Sequence, residues 1–346
     1  MTPHRLRTAA GAALAFGALL TGLLVAACGG DDDGGDNASV VVYSGRSQTL
    51  VESILVEFEN DTGIKVLRRY GDTSGLAGQI LEEGKNSPAD VFFAQDAGAL
   101  GALASEDMLA TLPDSLLNKV APAFRSPDGV WIGISGRART VVYNTDRLSP
   151  EDLPDSILDF TDPQWKGRIG WAPTNASFQA FVTGMRVLLG DDAARDWLEG
   201  IKANDPIEYP NNSTIVQAVA DGEVDVGFVN HYYLYRFLSE HGEGFKARNY
   251  FMAGGDPGAL VNIAGAGILK SAKNKEAAER LIEYLLSEKA QRYFAEETFE
   301  YPLAAGVAPS VDIPPLAELE PPDLDLSDLA DLRGTIELLR ETGVLP

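Results

Sequence analysis

Two adjacent tyrosines, Tyr232 and Tyr233, carry the strongest chemical signal in the chain. Phenolate is a hard anionic oxygen donor, and a trivalent cation can drive off a phenol proton that otherwise leaves near pH ~10. Two such donors at one point suit a hard, highly charged cation. Neighbours on a strand point to opposite faces, so for both phenols to serve one site the extended chain must end just before them. The sequence supplies that ending. Val224 to Val229 reads as a short buried strand, and Tyr233, Leu234, Phe237 and Leu238 then follow helical spacing. The competing reading of the pair is aromatic packing with the hydroxyls at the surface. His231, beside the pair, reads as a packing neighbour, because imidazole is a softer donor than phenolate.

Other polar groups stand where an anion could meet them. Asn175, Ala176 and Ser177 precede a helix expected from Phe178, Asn212 precedes one expected from Thr214, and Asn230 precedes the tyrosines. Free N–H groups and the helix dipole favour negative charge at such entrances, although simple capping accounts for the same residues. Arg46 follows the strand Val40 to Tyr43, in the loop Ser44 to Ser47, where it is either an anion contact or a solvent-facing charge.

These residues must be positioned by an α/β framework. Strand, loop, helix and strand alternate from Val40 to Val66, and the loop Ala94-Gln95-Asp96 closes the strand Ala89 to Phe93. In such folds ligands meet the carboxyl ends of the strands. Trp131 to Arg137 and Thr140 to Asn144 are β-like runs that carry the chain into a second lobe, or else form a longer strand pair in one domain. Leu260 to Lys270, apolar and Gly-rich, leads back. The expected division is 39–136 with 264–310 as the first lobe, and 137–263 with 311–346 as the second.

The chain has 346 residues, with 28 basic against 51 acidic and a formal charge of -23. This balance argues against nucleic acid or an anionic membrane surface as principal partner. Arg5 and Arg7 precede the apolar run Ala9 to Ala27, which has the form of a secretory leader spanning 1–27. The polar stretch 28–38 then reads as a tether. A single cysteine, Cys28, excludes an intramolecular disulfide.

Several motifs fall together in a recognisable order: Ser87-Pro88-Ala89-Asp90-Val91, Ser135-Gly136-Arg137, Val141-Val142-Tyr143-Asn144-Thr145, Trp165-Lys166-Gly167-Arg168, Asn230-His231-Tyr232-Tyr233, Asp256-Pro257-Gly258 and Glu300-Tyr301-Pro302-Leu303. This ordered set resembles the bacterial ferric-iron-binding proteins of ABC importers. The resemblance implies a two-lobed α/β fold of the type II periplasmic binding proteins, with a mixed sheet in each lobe and a crossing-strand hinge. It further implies Fe(III) as cargo, carbonate or phosphate as companion anion, a permease as partner, and a monomer. Tyr232 and Tyr233 match the family's paired iron ligands, and Tyr143 matches a tyrosine that ligates iron in some branches. Arg139 matches an arginine that can hold the anion, and Asn175, Ala176, Ser177, Asn212 and Asn230 match positions lining the anion's side. Ser47 and Gln95 stand where some members place histidine and glutamate ligands. Val25-Ala26-Ala27-Cys28 looks like a lipobox, which makes Cys28 the acylated first residue of an exported, membrane-tethered protein.

Three other readings stay open on the sequence, one of them an adhesion or scaffold role for the tethered lobes. A binding protein of the same fold could take an organic or oxyanion solute against an aromatic pocket. An exported enzyme is disfavoured: there is no G-x-S-x-G elbow or catalytic cysteine, and His4, His231 and His241 are the only histidines.

Overall fold

A computed structural model describes residues 38–346. The leader, most of the tether and Cys28 lie outside the described residues. Two sheets share one long strand. In the first half of the chain come β1 (Ser39–Ser44), α1 (Gln48–Thr62), β2 (Lys65–Tyr70), α2 (Thr73–Glu83), β3 (Val91–Ala94), α3 (Ala97–Ser105), α4 (Asp114–Leu117) and β4 (Ile132–Asn144). Then follow β5 (Ile169–Trp171), α5 (Ala176–Leu189), α6 (Asp191–Ala203), β6 (Ile207–Glu208), α7 (Asn212–Asp221), β7 (Val226–Asn230), α8 (Tyr232–His241) and β8 (Ala247–Tyr250). The chain closes with β9 (Val261–Ile268), α9 (Lys275–Leu285), α10 (Glu288–Glu297), β10 (Tyr301–Pro302) and α11 (Leu332–Glu341).

The two β-like runs expected around Arg137 and Thr140 are halves of one strand, β4, whose 13 residues are all buried. Residues 132–138 of β4 pair antiparallel with β9, which in turn pairs with β3 in the first sheet. From Arg139 onward β4 pairs instead with β7 on one side and β8 on the other, in the second sheet. The strand therefore crosses from lobe to lobe without a break, and the hinge runs through its middle.

Each lobe has its own apolar core. β1, β3, β9 and the first half of β4 supply the first. In the second lobe the period-2 alternation of a strand splits the core between two faces: Val141 and Tyr143 pack with Phe160, Trp197 and Phe228, while Val142 packs with Ile215, Val219 and Leu234. α6 was not anticipated, although Ala194, Trp197, Leu198 and Ile201 repeat at helical spacing and are its buried face.

The segment after 310 follows a different course from the one expected. Ile313, Leu319, Leu326 and Leu329 join the first lobe's core, whereas Leu338, Leu339, Val344 and the partly buried Leu345 pack in the second. The passage thus falls after Leu329. Glycines on α3 permit this docking: a Cβ on Gly98 would stand 2.4 Å from the Leu329 carbonyl oxygen, and one on Gly101 would stand 2.4 Å from that of Ser327. No residue with a side chain fits between α3 and that turn.

Candidate functional site

β7 ends at Asn230 and α8 begins at Tyr232, so the strand stops where the two phenols need it to. Their rings stack with centroids 4.3 Å apart and planes at 28°. One turn on, the Arg236 guanidinium lies 5.2 Å from the Tyr232 ring centroid and 5.6 Å from that of Tyr233. Tyr232 is buried and Tyr233 half-buried. Burial, reinforced by the neighbouring Tyr232, holds the Tyr233 phenol well above its ordinary pKa.

Arg139 sits opposite Asn230 in the β4–β7 register, 3% exposed. Its Nη2 donates to the Phe228 carbonyl at 3.0 Å, while Nε and Nη1 have no protein partner. Its guanidinium carbon lies 5.0 Å from the Phe181 ring centroid. Burial lowers its pKa to about 9, against the opposing pull of Tyr233 and Tyr232. It stays cationic at neutral pH, with two nitrogens unspent.

The three polar helix entrances form one hydrogen-bonded set. Asn175 Oδ1 accepts from the Ser177 N–H at 3.0 Å and its hydroxyl at 2.6 Å, capping α5. Asn212 Nδ2 donates to Asn175 Oδ1 and to Ser177 Oγ, both at 3.2 Å, and Asn212 Oδ1 accepts the Asn230 N–H at 3.1 Å. Asn175 and Asn212 are thereby occupied as positioning groups. They fix Ala176, Ser177 and Asn230, which together with Arg139 line a cavity between the lobes. The first lobe and the crossing strands contribute Gln95, Asp96, Arg137 and Asn262 to its wall. As the lobes stand, the cavity measures ≈ 20 Å³, room for about one water. A wider groove of ≈ 1020 Å³ lies along α8 and residues 311–315, but it is open, lined by polar and apolar residues together, and Arg139 is not in its wall.

Several expected site residues are elsewhere. Tyr143 is four residues beyond Arg139 on β4, roughly 13 Å along the strand, paired with Val226 and packed in the second lobe's core. The charges acting on it are Arg248 and Glu151. It is not a partner of the tyrosine pair. Arg46 is equally removed from an anion's reach. Its Nη2 contacts both Glu300 oxygens at 2.8 Å, with both side chains fully buried. Ser47 is exposed before α1, with its hydroxyl 2.9 Å from that of Thr49, and it does not line the cavity. Of the two expected first-lobe contacts only Gln95 does so.

His231 is fully buried, with Nδ1 accepting the Ala138 N–H at 3.1 Å and Nε2 lying 2.9 Å from the Phe299 carbonyl. Both nitrogens are used, which fixes the Nε2–H tautomer and leaves none for a metal. Among the described residues no group of three or more His, Cys, Asp or Glu is arranged to hold a metal. Tyr232 and Tyr233 are not among the residues that line the small cavity beside Arg139. Asp96, Arg137 and Asn262 were not picked out from the sequence. Asp96 had a signal, since it lies in the loop at the carboxyl end of β3.

The profile of the bacterial extracellular solute-binding proteins matches residues 86–326. The chain is 38% identical over 312 residues to the major ferric iron-binding protein of Neisseria meningitidis serogroup B, covering 89% of this chain and 93% of that one. It is 36% identical over 330 residues to the Fe(3+)-binding periplasmic protein of Serratia marcescens, covering 95% and 97%. Iron-bound HitA from Pseudomonas aeruginosa superposes with a TM-score of 0.82 at 38% identity, over 88% of this chain and 99% of that chain. The two-lobed architecture is thus shared with solved members.

Proposed function

This chain belongs to the family of bacterial extracellular solute-binding proteins, and from that premise we propose that its cargo is Fe(III), held by Tyr232 and Tyr233 with a companion oxyanion. The observation that carries the reading is the stacked tyrosine pair at the start of α8 beside a buried Arg139 with two unpartnered nitrogens. Two tyrosinates leave one positive charge on Fe(III), and hard oxygen donors suit it. Without Tyr143, the remaining charge falls to the anion. Arg139, the start of α5 at Ala176, and Asn230 form the donor wall against which carbonate or phosphate would rest, with Ser177 lining it while its own donors are held by Asn175.

Binding replaces phenol protons by metal, so uptake releases protons and weakens as pH falls. The leader and lipobox support export with Cys28 as the lipid anchor, and the protein acts as a monomer handing iron to an ABC permease. The names of these relatives describe binding proteins, which supports transport over catalysis.

The deciding experiment is the visible spectrum of the domain from Asn37 onward, titrated with chelated Fe(III), with and without bicarbonate or phosphate. The expected result is a tyrosinate-to-iron charge-transfer band saturating near one iron per chain and strengthened by one of the anions. A colourless, unresponsive protein would reject the ferric reading and favour an organic solute stacked on the tyrosines.

A further inference from the structure

The cavity wall that offers donors also carries one carboxylate. Asp96 caps α3 through Oδ1, which accepts the Ala99 N–H at 3.0 Å. No side-chain donor reaches its Oδ2 among the described residues. Across the same cavity Arg139 and Arg137, each 3% exposed, keep unpartnered N–H groups: Nε and Nη1 of the first, Nε of the second. Arg137 otherwise donates to the Gln95 and Ile263 carbonyls. The charges acting on Asp96 are Arg137, which favours its ionised form, and Asp72, which opposes it. Burial raises its pKa, and the Ala99 N–H and Arg137 oppose that rise by favouring the carboxylate.

An anion in this cavity meets N–H groups for its oxygens and a carboxylate that can only accept. An anion with no proton faces that carboxylate as bare repulsion, whereas one with a proton can turn the contact into a charge-assisted hydrogen bond. Sulfate at neutral pH carries no proton. Hydrogen phosphate carries one, and carbonate enters at neutral pH as bicarbonate, which also carries one. We propose that Asp96 makes the cleft's anion subsite selective for oxyanions that bear a proton, hydrogen phosphate or bicarbonate, against sulfate. This rests on reading the cavity as the anion subsite. The ≈ 20 Å³ now between the lobes means the anion enters with them further apart.

The test is calorimetric titration of the iron-free domain with phosphate, bicarbonate and sulfate at pH 7.5, on the wild type, Asp96→Asn and Asp96→Ser. Asn and Ser both cap helices as Asp does, so α3 and the fold are retained. Expected is a preference of about tenfold or more for the protonated anions over sulfate, lost in both variants because the amide or hydroxyl can donate to sulfate. The relative affinities of phosphate and bicarbonate tell which of the two the site takes. Sulfate binding as tightly as phosphate in the wild type overturns the proposal, and so does an undiminished preference in the variants. A protein that develops the iron band but binds none of the three anions loses the anion subsite and this proposal while keeping the ferric reading. One that discriminates among anions but gives no band with iron keeps the proposal and loses Fe(III).

Discussion

Nε2 of His231 donates to the carbonyl of Phe299 at 2.9 Å, tying the residue before the tyrosine pair to the turn between α10 and β10 of the first lobe. Phe299 holds a φ of 58°, a left-handed conformation uncommon for a bulky residue. Its carbonyl direction is therefore a specified feature, met by the imidazole. The other nitrogen takes the Ala138 N–H at the middle of the crossing strand. His231→Ala leaves a buried N–H and a C=O unpaired and opens a void. We expect a loss of about 2–4 kcal/mol, read as a lower midpoint in urea unfolding.

Tyr232→Phe and Tyr233→Phe should each remove the iron band and weaken iron binding by more than the ~100-fold that a supporting residue costs, with far-ultraviolet circular dichroism unchanged. Tyr143→Phe should leave the band's position and the stoichiometry as they are. A band lost with Tyr143 and kept without either of the pair would reverse the assignment.

Arg139→Met separates binding from stability. The guanidinium is buried with two nitrogens unpartnered, so an apolar replacement of similar length should cost little stability or add some. The same change removes the anion's counter-charge. Iron titrations of the variant should lose their dependence on bicarbonate or phosphate, while thermal unfolding of the iron-free protein is equal or later.

Glu300 supplies the acid-sensitive contact. Burial alone would raise its pKa, but Arg46, Arg137 and the Ser135 hydroxyl outweigh that and hold the carboxyl below its usual range. The unfolded carboxyl titrates near ~4.3. Stability from this pair is therefore complete above that value and is lost as pH falls through the lower, folded pKa. Glu300→Gln should destabilise by about 3–5 kcal/mol by stranding Arg46. Its melting temperature should also fall less steeply than the wild type's below pH ~4.

The place of the tyrosine pair was legible because the sequence changes period there, from strand to helix, and a change of period is a local signal. The donor wall was legible in part for the same reason, through Ala176, Ser177 and Asn230 at helix starts. Arg46 was not, because what occupies it is Glu300, 254 positions away. Tyr143 turns on counting: on an uninterrupted strand it falls four residues past Arg139, packed in the second lobe's core, and the uninterrupted course of β4 could not be told from two separate runs. The stretch 311–330 has no periodicity to read. Its docking is decided by the bare backbone of Gly98 and Gly101 on a distant helix.

Because β9 lies between β3 and β4, the first sheet cannot be completed until residues 261–268 are available. All strands of the second sheet, from β4 to β8, precede them. In a chain emerging amino terminus first, the lobe that begins later finishes its sheet earlier, and the earlier lobe waits for it with β1 to β3 unpaired on one side. The edge of β3, four fully buried apolar residues in the finished protein, is then the surface at risk of non-native strand pairing before Val261 arrives.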